Sequence, residues 1–147
     1  MARNQKDFTF DYALQLKDAG LVAADAAAEV GAVAKILNLG NARFDGRVIV
    51  DISAIEVAGG DELYCIQTQF SSSSTFASVI VSGPALNVGN QSLIAGGTQS
   101  ADTVVGRYEL PFCNELNGTT YPYMRLYTDF TGAIATGINY TAFVVQP

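Results

Sequence analysis

The clearest pattern lies in the last quarter of the chain, Tyr121 to Val145. There Met124, Leu126 and Phe130 alternate with Tyr123, Arg125, Tyr127 and Asp129. A period of two predicts a strand with one buried and one wet face. Ile138 to Val145 is rich in β-branched and aromatic residues and predicts a second strand. Thr131 to Gly137 lies between them, with Gly132 and Gly137 free to take positive φ, and predicts a turn that makes the two strands a hairpin. A lone hairpin is not stable in water, so the remaining chain must supply a second sheet over its apolar face.

The rest of the chain offers that sheet. Phe8, Phe10, Tyr12, Leu14 and Leu16 alternate with Thr9, Asp11, Ala13 and Gln15, which reads as a strand-like opening. Asp18 to Gly31 is Ala-rich and fits either a short helix or an extended crossing, because Ala favours helix but no apolar stripe at helical spacing appears. Strands are expected over Ala32–Leu39, Arg47–Val57, Glu62–Phe70, Ser78–Ser82 and Thr103–Leu110. Asp45-Gly46, Gly83-Pro84 and Asn117-Gly118 are turn signals between them. About eight strands with no long helical pattern between them predict an all-β fold. A jelly-roll type sandwich of antiparallel strands fits best. An immunoglobulin-type sandwich fits less well, since the chain has no tryptophan and no suitable Cys-Trp-Cys spacing. Residues 1–12 are expected to form an N-terminal arm or the first strand, and 13–147 the sandwich.

Composition sharpens this picture. The chain has 147 residues, enough for one core, and 49% of them are apolar. Charged residues make up 15%, against roughly 25% in an ordinary soluble domain. Leu63 to Ala101 carries no charge at all. A surface so short of charge is expected to be covered by a partner. The net charge of −6, with scattered Lys and Arg, argues against nucleic acid. No apolar run is long enough for a membrane span, and the opening MARNQKDFTF lacks a signal-peptide core. The three Asn-x-Ser/Thr triplets, at Asn90, Asn117 and Asn139, are therefore read as chance.

Candidate chemistry is sparse. There is no histidine, which removes Ser-His-Asp, Cys-His and histidine–metal arrangements. Cys65 and Cys113 form no CxxC; they are expected as buried free thiols, or else as a disulfide pair. No phosphate-cradling glycine motif occurs. Asp61-Glu62, after Gly59-Gly60, is read as a solvated turn, because two carboxylates fall short of the six or more oxygens Ca²⁺ takes. No catalytic, cofactor-binding or metal-binding residue is assigned. Tyr121, Tyr123 and Tyr127 share one face of their strand; they could stack on sugars, but Tyr is enriched where subunits meet. Phe8, Phe10 and Tyr12 are more aromatic than a free terminus needs. Phe8, Phe10, Tyr12, Tyr123 and Tyr127 are thus the candidate partner contacts.

Several blocks in order carry a resemblance: Leu14-Gln15-Leu16-Lys17-Asp18-Ala19, Ile36-Leu37-Asn38-Leu39-Gly40, Ile66-Gln67-Thr68-Gln69 and Phe76-Ala77-Ser78. Met124-Arg125-Leu126-Tyr127, Thr131-Gly132 and Thr136-Gly137 complete the series. Together they resemble the jelly-roll capsid cement, or decoration, proteins of tailed phages, the Bordetella phage cement protein family. The stretch before Leu14 and the Glu109–Tyr121 connection are longer than that family's pattern. The resemblance implies a structural virion protein made in a bacterial cytoplasm and bound to the outer capsid surface. It implies a major capsid protein as partner, a homo-oligomer (dimer or trimer), no cofactor and no catalysis. A carbohydrate-binding sandwich from a phage tail fibre is the alternative expectation.

Overall fold

In a computed structural model, which describes residues 10–90 and 103–146, the chain is an antiparallel β-sandwich. A single 3₁₀ turn at Tyr12–Leu14 precedes the strands. In chain order these are β1 (Gln15–Lys17), β2 (Leu21–Val22), β3 (Ala26–Ala27), β4 (Glu29–Val30), β5 (Val33–Ala34), β6 (Leu37–Asn38) and β7 (Asp45–Ile55). They continue as β8 (Leu63–Ser71), β9 (Ile80–Gly89), β10 (Gly106–Cys113), β11 (Glu115–Leu116), β12 (Thr119–Thr120), β13 (Tyr123–Thr131) and β14 (Ile138–Val145). The first sheet runs β1-β14-β7-β10, with β2 also on β14. The second runs β3-β13-β8-β9, with β6 also on β13. If β3 and β6 are taken as two pieces of one broken strand, the pairs nest. The first strand pairs the last, the second pairs the seventh, the third pairs the sixth, and the fourth pairs the fifth.

The two sheets close over one core. Val48, Val50 and Ile52 point inward from β7, Tyr64, Ile66 and Phe70 from β8, and Met124 and Leu126 from β13. Ile138, Tyr140, Ala142 and Val144 complete it from β14. The alternation expected for β13 holds: Met124, Leu126 and Thr128 are buried, Tyr123, Arg125 and Tyr127 half-buried, and Asp129 exposed. Across the core Thr128 Oγ1 lies 2.6 Å from the Tyr140 hydroxyl, which ties the sheets by a hydrogen bond. Burial pushes the pKa of that phenol up to about 12.

The expected hairpin of β13 and β14 does not form. β13 pairs with β8 and β14 with β7, in opposite sheets. The intervening loop carries the chain across the sandwich, so the two apolar faces bury each other rather than lying side by side. Carboxylates hold this crossover. Glu56 Oε2 accepts from the N–H groups of Ala135 (3.0 Å), Thr136 (2.6 Å) and Gly137 (2.9 Å). Asp61 accepts from Ala133 and Asp25 from Phe130. Gly132 (φ 91°) and Gly137 (φ 95°) lie in the left-handed region, and a Cβ there would collide with the carbonyls of Asp61 and Val22.

Of the two forms open to Asp18–Gly31, the extended crossing is the one observed: its backbone is spent on neighbours, with Ala28 N–H donating to Leu126 and Ala26–Ala27 pairing with β13. Other expectations are corrected. The strand-like opening is interrupted by the 3₁₀ turn, which Asp11 caps through Ala13 N–H. Asp45-Gly46 is not a turn but the start of β7, where Gly46 is wedged against the Phe44 and Phe112 rings. Nor does Gly83-Pro84 end a strand: β9 runs through it with a register shift opposite Thr68, an irregularity tolerated because β9 is the outermost strand of its sheet. β10, outermost in the other sheet, likewise holds Pro111. Asn117-Gly118 does turn, joining β11 to β12 with φ of 51° and 76°.

Glu62, expected in a solvated turn, is 1% exposed. It accepts from Gly59 N–H (2.7 Å), the Asn90 amide (2.7 Å) and Asp61 N–H (3.3 Å). Burial opposes its ionisation, but these donors and its own N–H outweigh that and hold its pKa below the ordinary carboxylate range. Cys65 and Cys113 are free and only half-buried, on different sheets, so neither is the deeply buried thiol expected and no disulfide joins them.

Two outcomes follow from this core. Leu126→Ala should destabilise the fold by about 2–5 kcal/mol, while Tyr127→Ala on the opposite face should cost less; urea unfolding of both variants checks the difference. The backbone N–H groups of Gly137, Thr136 and Ala135 lower the Glu56 pKa from its ordinary 4.5. Its contribution is therefore present above that value and lost as pH falls through the lowered one. Glu56→Gln should melt at a lower temperature at neutral pH and show a shallower acid-side decline, as read by thermal melts over a pH series.

Candidate functional site

The aromatic residues singled out by sequence divide between two surfaces. Phe8 lies outside the described residues. Phe10 is 51% exposed and meets the Phe143 ring edge-on at 5.4 Å, while Tyr12 is 70% exposed in the 3₁₀ turn. Both sit beside the first sheet. Tyr123 and Tyr127 lie on the outer face of the second sheet. Tyr121 is not on that face with them but packs against the core. The structure therefore does not gather the four described candidates, Phe10, Tyr12, Tyr123 and Tyr127, into one site.

The outer side of the first sheet is charged and internally compensated. Arg47 pairs with Glu109, Arg107 pairs with both oxygens of Asp51 (2.7 and 2.9 Å), and Arg43 pairs with Asp45. Ile49, Phe143 and Val145 form a small buried cluster on this side. The Arg107 guanidinium lies 5.9 Å over the Phe143 ring. A cleft of about 350 Å³ opens among Phe10, Gln15, Lys17, Asp51, Arg107 and Phe143.

Lys17 offers no free ammonium to that cleft. It is 4% exposed, and its three donors reach the carbonyls of Asp18 (2.9 Å), Gly20 (3.0 Å) and Tyr140 (2.9 Å). The Nζ atom stands 4.7 Å over the Tyr140 ring. Burial lowers its pKa, against the pull of Asp18 and Glu29. A second cleft, about 460 Å³, lies between Lys17–Ala24 and Ala26–Glu29 and is lined largely by small side chains. Neither cleft is lined by Tyr123 or Tyr127.

The outer face of the second sheet differs in kind. β13 contributes Tyr123, Arg125, Tyr127 and Asp129. Their register partners are Ser71, Gln69, Gln67 and Cys65 on β8, then Ile80, Ser82, Ala85 and Asn87 on β9. Ala27 and Asn38 flank the other side. Only two of these residues are charged, Arg125 and Asp129. Arg125 Nε donates to Gln69 Oε1 at 2.8 Å, and its guanidinium stacks 4.5 Å from the Phe76 ring. Phe76 is held there by a loop in which it adopts φ 55°. Partial burial lowers the Arg125 pKa.

Phenol, amide and guanidinium groups on a sheet face suit recognition by hydrogen bonding and aromatic contact. Among the described residues no group of three His, Cys, Asp or Glu side chains is placed to hold a metal ion. Sequence reasoning placed Tyr123 and Tyr127 on this face but missed Arg125, Gln69 and Phe76 as its centre. The alternation already put Arg125 between the two tyrosines; only the Phe76 stack had no local signal.

Lys17→Met should cost about 1–3 kcal/mol, because the buried Tyr140 carbonyl loses its donor along with the part-buried carbonyls of Asp18 and Gly20. Urea unfolding reads the loss. A neutral effect would mean that water replaces the ammonium without penalty.

No protein-family model matches the chain, and no curated protein matches it at a significant level.

Proposed function

We propose that the chain is a structural virion protein, a capsid cement or decoration protein that binds the outer surface of a phage head and stabilises the lattice of the major capsid protein. The observation that carries this reading is the nested pairing of the eight principal strands, first with last through fourth with fifth. That order is what a jelly roll, a rolled-up antiparallel ribbon of two Greek keys, requires. It therefore agrees with the fold that the cement-family resemblance implies. The charge-poor face around Tyr123, Arg125 and Tyr127 supplies a surface suited to a protein partner.

In this reading the mechanism is mechanical. Each copy bridges neighbouring capsid subunits, and a symmetric oligomer makes several weak contacts at once. Linked contacts gain avidity without any one of them being strong, and so resist outward pressure from packaged DNA. Phe10 and Tyr12, exposed beside the first sheet, are candidate contacts for such bridging.

The test is reconstitution on heads stripped of the protein. Added chain should tile the head surface in a cryo-EM map and raise the temperature at which heads rupture. Localisation to the tail, or absence from the particle, would overturn the proposal. Deleting residues 1–12 should leave a folded chain, since among the described residues the first strand and the core cluster begin beyond Tyr12, and should lower head occupancy.

A further inference from the structure

We infer that the chain self-associates through the outer face of its second sheet, as a two-fold dimer in which Arg125 of each copy meets Asp129 of the other. This rests on the homo-oligomer proposed above and names its surface.

The first observation is an uncompensated charge. Arg43, Arg47 and Arg107 each pair with a carboxylate, whereas Arg125 has none among the described residues. It is nonetheless half-buried, held by an amide and an aromatic ring. A partly desolvated guanidinium gains from a carboxylate, and none of the described residues supplies one.

The second observation is an opposite charge on the same strand. Asp129 is exposed on the same face of the same strand, four residues along. At the rise of an extended strand the two are about 14 Å apart, too far to pair within one copy. A two-fold axis lying in the interface and crossing β13 at Tyr127 exchanges their positions. Each guanidinium then faces the carboxylate of the other copy, so the face is self-complementary, as an isologous contact must be.

The row through that axis permits close approach. Tyr127 stands between Ala27 and Gln67, with Ala85 beyond. Two of these side chains are methyl groups, and the Gln67 amide both donates and accepts, so it can bond to its own copy. Charge on the face is sparse: besides Arg125 and Asp129 it holds Asp25, whose carboxylate accepts from Phe130 N–H beside Asp129.

Light scattering and sedimentation equilibrium across a micromolar concentration series test the inference. The wild-type chain should be a dimer. Asp129→Arg, at an exposed site, should weaken dimerisation at least about 100-fold, because like charges then face each other twice. Arg125→Glu should do the same. An equimolar mixture of the two variants should recover a heterodimer, since opposite charges again meet at both positions. Should Arg125→Glu fail to fold, Asp129→Asn decides, with dimerisation intermediate between wild type and Asp129→Arg. A monomeric wild type, or Asp129→Arg dimerising like wild type, overturns the interface, as does a mixture of folded variants that stays monomeric. Failure of the wild-type dimer to coat heads would instead sink the cement reading and leave this interface standing.

Discussion

Three consecutive backbone N–H groups converge on one carboxylate oxygen of Glu56, and the sandwich depends on the crossover they fix. β13 is central in one sheet and β14 in the other, so the loop between them sets how the sheets face each other. Irregular backbone at that junction would otherwise turn these donors to water and leave the loop's path unfixed. Glu56 supplies the acceptor at one side and Asp61 at the other. Gly132 and Gly137 allow the carbonyls of neighbouring loops to come close. With that junction held, Thr128 and Tyr140 meet across the core, and the apolar faces of the two strands cover each other.

A chain with few charges places several of them inside its framework. Lys17 joins the Asp18–Gly20 turn to β14, and Glu62 joins the Gly59 turn to Asn90. Each has its polar atoms satisfied, and no buried side-chain nitrogen or oxygen among the described residues lacks a partner. Such groups fix loop geometry more than they add stability, since satisfying a buried charge mainly offsets the cost of desolvating it. The remaining ion pairs gather on the outer side of the first sheet. The second sheet is left to amides and aromatics, and the asymmetry between the two faces follows from that distribution.

Long, regularly alternating stretches were legible in the sequence. Ile138–Val145 has the bounds expected for it, and the faces of β13 follow from its period of two. What failed was information not held locally. Whether β13 and β14 pair or cross depends on partners far away in sequence, and only β7 and β8 decide it. Asp45-Gly46 carries turn chemistry, yet the Gly is needed because Phe44 and Phe112 leave no room for a side chain. Gly83-Pro84 reads as a stop only until β9 is known to be an edge. For the Ala-rich segment propensity alone left helix and extended crossing open, and hydrogen bonds to β13 decide for the extended form. Among the candidate contacts, Tyr123 and Tyr127 were placed by alternation, whereas the centring of Arg125 relies on a distant loop bringing Phe76 beneath it.

The edge prolines have a consequence for how the molecule behaves when crowded. An open strand edge is a template on which further chains can polymerise. Pro84 and Pro111 each remove a donor from the outermost strand of one sheet, and β9 and β10 are neighbours, so both interruptions fall on the same flank. On the opposite flank the strands are pieces of two or three residues, too short to seed a ladder. Growth into fibres by sheet extension is thus discouraged at either side of the sandwich. Concentrated solutions of the chain can therefore persist without gelling, and association is left to side-chain contacts between faces, which can close after a fixed number of copies.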